Sequence, residues 1–148
     1  MDNIILASKS KVRKKILENN GISCEVIQSN VDEDSVKKAL LKDNASPEII
    51  SKNLAELKAN RVSAKISNEL VLGADSVIDL EGKIISKPNN RDEALGILKL
   101  LNGKSHFLIS SVCISKDGSM IWNYTDRATL IMRSFSDNEL ILYLSKIS

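Results

Sequence analysis

Apolar runs of strand length alternate with amphipathic runs of helix length from Asn3 to Ser145, and no Gly/Ser/Pro-rich linker, low-complexity tract or internal repeat interrupts them. Such a chain buries both kinds of element only by laying helices against a sheet, so the expected fold is α/β with a mixed sheet covered by helices. Its 148 residues suit a single domain around one core. Asn3 to Ala7 reads as a buried strand and Lys11 to Asn20 as a helix with Ile16 and Leu17 inward, stopped by Gly21. A strand follows over Ser23 to Gln28, then helices over Asp34 to Lys42 and Pro47 to Ile66, the second opened by Ser46 and Pro47. Ile50, Leu54, Leu57 and Arg61 mark one face of that longer helix. Leu70 to Asp79 is a strand, Glu81-Gly82 a hairpin turn and Lys83 to Ser86 its return. Arg91 to Leu101 is helical. Two β segments, His106 to Ser115 and Met120 to Arg133, flank the turn Lys116 to Ser119, and Ser136 caps a last helix over Asp137 to Ser145.

Composition removes several function classes. No apolar stretch approaches the roughly 20 residues of a membrane span. The run Ile4 to Ala7 precedes the basic residues instead of following them, the reverse of a secretory signal, so a cytoplasmic protein is expected. A net charge of +2 with 3% aromatic residues argues against nucleic-acid binding. Cys24 and Cys113 have no second Cys at metal-ligand spacing, and His106 is the single histidine, so two buried thiols are expected and no zinc site or disulfide framework.

Three strand ends carry chemistry. Leu6-Ala7-Ser8-Lys9-Ser10-Lys11-Val12-Arg13 takes a strand straight into a basic helix. The opening turn of a helix offers unpaired N–H groups and the positive end of its dipole, to which Ser8 and Ser10 add hydroxyls and Arg13 a bidentate phosphate grip. Alone, the run reads as well as a capped, solvated helix face. In Gly73-Ala74-Asp75-Ser76, a carboxylate interrupts an apolar strand, where it is costly unless paired, hydrogen-bonded or metal-bound. Asp75 therefore reads as a ligand for Mg²⁺ or as a base acting on water, or else as a strand-end Asp making local hydrogen bonds. In Ser86-Lys87-Pro88 the proline keeps Lys87 extended, aimed at a phosphate or standing as a surface lysine at a turn. Glu33 and Lys58 are candidates only in company with these, since acids before a helix and lysines on an amphipathic helix have ordinary explanations.

Taken together, these pieces resemble the Maf family of nucleotide pyrophosphatases. The resemblance rests on Leu6-Ala7-Ser8-Lys9-Ser10 with Arg13, Gly21-Ile22, Val31-Asp32-Glu33, Leu54-Ala55-Glu56-Leu57-Lys58-Ala59, Leu72-Gly73-Ala74-Asp75, Ser86-Lys87-Pro88 and Leu101 to His106. It implies an elongated α/β fold akin to the inosine triphosphate pyrophosphatases, and hydrolysis of nucleoside triphosphates to a monophosphate and pyrophosphate with a divalent metal, Mg²⁺ or Mn²⁺. It also implies Asp75 as proton acceptor and metal ligand with Glu33, and Lys58 and Lys87 as catalytic cations. Ser8, Ser10, Arg13, Lys58 and Lys87 would then bind phosphate, and Val12 and Ser76 would bear on specificity. A homodimer is common in the family and expected on the same ground. Two departures stand out: Lys11 and Val12 replace the family's usual proline and arginine or tryptophan, which leaves base preference open, and the chain stops at Ser148, before a Gly-rich segment that family members carry. The rival reading is a non-catalytic nucleotide-binding regulator of cell division, as the family's older name, septum formation inhibitor, implies.

Overall fold

The computed structural model describes residues 3–147; Ser148, where the sequence reading places the chain's early stop, lies outside the described residues. Eleven elements follow in the order β1 (Ile4–Leu6), α1 (Lys11–Asn19), β2 (Cys24–Val26), α2 (Glu33–Lys42), α3 (Pro47–Ser63), β3 (Val71–Leu80), β4 (Lys83–Ile85), α4 (Arg91–Leu101), β5 (Ser105–Lys116), β6 (Ser119–Ile131) and α5 (Asp137–Lys146). The strands form one six-stranded sheet ordered β2-β1-β3-β5-β6, with β4 paired to β3. β1 pairs in parallel with β2 and β3, and β4 pairs antiparallel to β3, so the sheet is mixed as expected. No helix among the described residues is long and apolar enough to cross a membrane.

The chain divides into two compact units, residues 1–76 with 110–126 and residues 77–109 with 127–148, and β3, β5 and β6 run through both. In the first, Ile5, Ala7, Ala55, Ala59, Val62, Val71 and Cys113 pack into a core. Its centre is α3, opened by the Ser46 cap with Pro47 just inside, a residue whose fixed φ suits the first turn. The buried stripe of α3 is Ile50, Ser51, Leu54, Ala55, Lys58, Ala59 and Val62, not the face through Leu57 and Arg61 that the apolar spacing suggested. Leu57 is half-buried and Arg61 exposed. The stripe turns this way because β3 comes within backbone contact of the alanines: a Cβ on Gly73 would lie 2.2 Å from the carbonyl oxygen of Ala55 and 2.9 Å from the Ala59 Cβ. Small residues on both elements allow that approach.

Two further expectations are corrected here. Ile16, expected inward with Leu17, is 55% exposed, and α1 buries no residue fully. Neighbouring residues on a helix point about 100° apart, so a short helix with a narrow contact covers one of them at most. Cys24 is half-buried on β2, whereas Cys113 is buried as expected.

In the second unit, Glu81 (φ 53°) and Gly82 (φ 87°) make the two-residue hairpin turn, and Gly82 N–H donates to Asp79 at 2.8 Å. Ser136 and Glu139 form a reciprocal capping box that starts α5. The Asn102 side chain donates to Phe135 O at 2.8 Å and accepts from Phe135 N at 2.9 Å, tying the end of α4 to the entry of α5. Arg91 spans the same two helices by donating to Leu144 O and Ile147 O.

Candidate functional site

Where β1 runs out, the chain turns through Ser8, Lys9 and Ser10 into α1. Ser10 is the N-cap, its Oγ accepting from Arg13 N at 3.2 Å. Ser8 is 6% exposed, and its Oγ accepts from Ser10 N at 3.1 Å and from the Arg13 guanidinium at 3.3 Å. Arg13 is thus anchored at one nitrogen while its other donors stay available, an arrangement suited to a phosphate. No acidic residue occupies the first turn of α1, so the helix does not offset its own positive end there. Lys9 and Lys11 are exposed, and Val12 points outward at 67% exposure.

The adjacent strand carries the carboxylate. β1 pairs with β3 as far as Leu6 opposite Leu72, and Ala7 N–H donates to Leu72 O at 2.8 Å. Carbonyls alternate along a strand, so Ala74 O is the next acceptor on that edge, but β1 has already turned away. Lys58 fills the gap: its Nζ donates to Ala74 O at 3.1 Å and to Asp75 Oδ1 at 3.2 Å, and it pairs with Glu33. An ammonium has three donors, and here each meets an acceptor, which is how a lysine 7% exposed is kept at tolerable cost.

Asp75 is 6% exposed, and its Oδ2 is buried with no hydrogen-bond partner. Burial, and to a lesser extent the Glu33 charge, push its carboxyl pKa above the ordinary carboxylate value, while Lys58, by charge and by hydrogen bond, and Lys37, by charge, pull it down. A carboxylate poised by opposing influences, with one oxygen pinned and the other without a partner, is what a general base or a cation ligand requires. Glu33 opens α2, and Asp32 caps it, accepting from Ser35 N at 3.2 Å.

Asp75, Lys58 and Glu33 thus touch directly, and Ser8, Ser10 and Arg13 form a second joined group. The Ser8 group follows the carboxyl end of β1, whereas Asp75, expected at a strand end, sits midway along β3 (Val71–Leu80), past Leu72 where the pairing with β1 stops. Ser76 points to the opposite face of β3 from Asp75 and shares a 3.0 Å hydroxyl contact with Ser110. Lys87 lies in the other unit, exposed in the segment between β4 and α4. Ser51 is the neighbour that sequence reasoning passed over: wholly buried on α3, it donates to Asp75 O at 3.0 Å. A hydroxyl on the same helix face as Lys58, two turns earlier, was the available signal. A groove of about 460 Å³ in the second unit, lined by residues such as Leu98, Phe135 and Tyr143, is apolar and holds none of the predicted site residues.

The sequence model described as Maf-like protein matches residues 3–148 of this chain. A nucleoside triphosphate pyrophosphatase of Pelagibacter ubique is 70% identical over 145 residues, covering 98% of this chain and 74% of the relative. One of the same name from Ruegeria sp. is 43% identical, covering 97% of this chain and 72% of the relative. Among solved structures, a HAM1 protein from Coxiella burnetii aligns over 87% of this chain and 71% of that one at 13% identity, with a TM-score of 0.49.

Proposed function

This chain belongs to the Maf family, and from that premise we propose that it hydrolyses nucleoside triphosphates to a nucleoside monophosphate and pyrophosphate. The observation that carries the reading is Asp75: a buried carboxylate with one oxygen held by Lys58 and the other unpartnered, on the strand that pairs with β1 just ahead of a basic, capped helix start. Phosphate chemistry needs cations and hydrogen-bond donors around one basic oxygen, and this part of the chain supplies both.

In the reaction, Arg13, Ser10 and the first N–H groups of α1 hold the triphosphate. Asp75 Oδ2 takes a proton from water as the water oxygen bonds to the α-phosphorus. The bond from that phosphorus to its bridging oxygen breaks, and pyrophosphate leaves with the electron pair. Lys58 orients the base through Oδ1. Lys87, proposed from its sequence setting, neutralises phosphate charge, and Val12 and Ser76 bear on the choice of base. The incompletely partnered Asp75 carboxylate and the Glu33 carboxylate are hard oxygen ligands that would hold a Mg²⁺ or Mn²⁺ ion. Such an ion supplies charge neutralisation and lowers the pKa of water. We read the whole chain as one Maf-like domain.

Replacing Lys58 with glutamine should slow kcat by about a hundredfold at neutral pH, in the range seen when one charge-stabilising donor is lost. The acid limb of the profile should also move to higher pH. Lys58 holds the Asp75 pKa down against burial, so without it Asp75 keeps its proton to a higher pH and is a base over a narrower range. A pH–rate profile of both proteins checks this, and an unmoved acid limb would remove Lys58 from the account.

The function itself is tested by measuring pyrophosphate release from ordinary and modified nucleoside triphosphates with Mg²⁺ or Mn²⁺. Release of pyrophosphate with a matching yield of monophosphate is expected. Nucleotide that binds and is returned intact would favour the regulatory reading instead.

A further inference from the structure

We infer that Ser51 is a positioning residue for this reaction, fixing the direction of the Asp75 carboxylate by holding that residue's own main-chain carbonyl. The inference rests on the proposed role of Asp75 as proton acceptor.

A peptide unit is planar, so the two planes that flank a Cα atom determine its φ and ψ and hence the direction of its Cα–Cβ bond. Both planes around Asp75 are held from α3. Lys58 Nζ grips the preceding one through Ala74 O at 3.1 Å, and Ser51 Oγ grips the following one through Asp75 O at 3.0 Å. Lys58 then fixes the side chain by its 3.2 Å contact with Oδ1, which leaves Oδ2 facing a direction set by four restraints, three from Lys58 and Gly73's close packing and one from Ser51. The restraint from Ser51 is the only one of these on the far peptide plane. Ser51 has no exposed surface, and its stripe on α3 is otherwise mostly apolar, where a hydroxyl is costly unless bonded. Catalytic groups tolerate about 0.5 Å or 10–20° of misplacement before rate is lost. Sheet pairing keeps β3 in place without Ser51, so loss of its bond is expected to let the Asp75 peptide tilt slightly rather than come free, a change that bears on the direction of the carboxylate and not on nucleotide binding.

The test compares Ser51→Ala with Ser63→Ala. Ser63 is also a buried serine on α3, but its Oγ accepts from Gly118 N at 2.9 Å and it makes no contact with Asp75. Ser51→Ala should lower kcat for pyrophosphate release about tenfold with KM unchanged, the scale of a modest loss of orientation. Ser51→Thr, which keeps the hydroxyl, should recover most of the rate. Ser63→Ala should lose thermal stability comparably but keep the kcat and KM of the unaltered protein. A Ser51→Ala protein with unchanged kcat, alongside an inactive Asp75→Asn, would overturn the inference and leave the function standing. Equal losses of kcat in Ser51→Ala and Ser63→Ala would overturn it too, by assigning the effect to general loosening of α3. No pyrophosphate release from the unaltered protein would sink the inference and the function together.

Discussion

Asp75→Asn is expected to reduce kcat for pyrophosphate release by about a thousandfold, within the span that general base catalysis contributes. The amide has the shape of the carboxylate and can still accept from Lys58, but it cannot take a proton. KM should change little, since the proposed holders of the phosphates are α1 and Arg13. Stability separates this loss from unfolding, and its sign follows from the raised pKa. In the unfolded chain the Asp75 carboxyl ionises at its ordinary value, while in the folded protein burial keeps the proton on to higher pH. Between those two values the folded state binds more protons, so the Asp75 contribution to stability falls as pH rises through that window and then levels off. The Asn variant lacks this loss. Its melting temperature relative to the unaltered protein should therefore climb from acid toward neutral pH, and thermal scans across that range, run beside the activity assay, check both halves. A variant with most of its turnover would take Asp75 out of the mechanism.

Gly73→Ala should be the most damaging single change to the fold. The added Cβ would meet Ala55 O at 2.2 Å and Ala59 N at 2.8 Å, both backbone atoms of α3 that cannot rotate away. Overpacking a core costs about 1–3 kcal/mol, and a clash with helix backbone belongs at the upper end. For a protein of this size, about 3 kcal/mol corresponds to a melting temperature lower by about 10 °C. Relief requires α3 to move off β3, and Lys58 moves with it, so activity should fall further than stability alone explains. Calorimetry with steady-state kinetics reads both, and an undisturbed melting temperature would show that β3 and α3 do not pack as described.

Local chemistry made much of the fold legible. Caps at Ser46 and Ser136, the Glu81-Gly82 turn and the Asp117-Gly118 turn set where elements begin and reverse, because each satisfies or frees particular backbone groups at those residues. Arg91–Leu101 was readable to the residue from the apolar spacing of Ala94, Leu95, Leu98 and Leu101. The burial of Lys58 was not. A lysine between Leu57 and Ala59 reads as solvated, and what makes it buried is a pair of carboxylates, Glu33 and Asp75, distant in sequence, together with a carbonyl that β1 leaves unpaired. The same non-local packing turned α3 so that Ser51 faces β3 in place of Leu57. Ser76 illustrates the complementary limit: adjacency to Asp75 in sequence means the opposite face in a strand, so its place in specificity stands on the family resemblance.

The central claim is that water attacks the α-phosphorus, with Asp75 taking its proton. Hydrolysis of a nucleoside triphosphate in ¹⁸O-water with Mg²⁺, followed by mass spectrometry of the products, tests it most directly. The account predicts one ¹⁸O in the nucleoside monophosphate, none in pyrophosphate, and loss of this reaction in Asp75→Asn. Label in pyrophosphate, or release of inorganic phosphate with a diphosphate product, would place the attack elsewhere and contradict it.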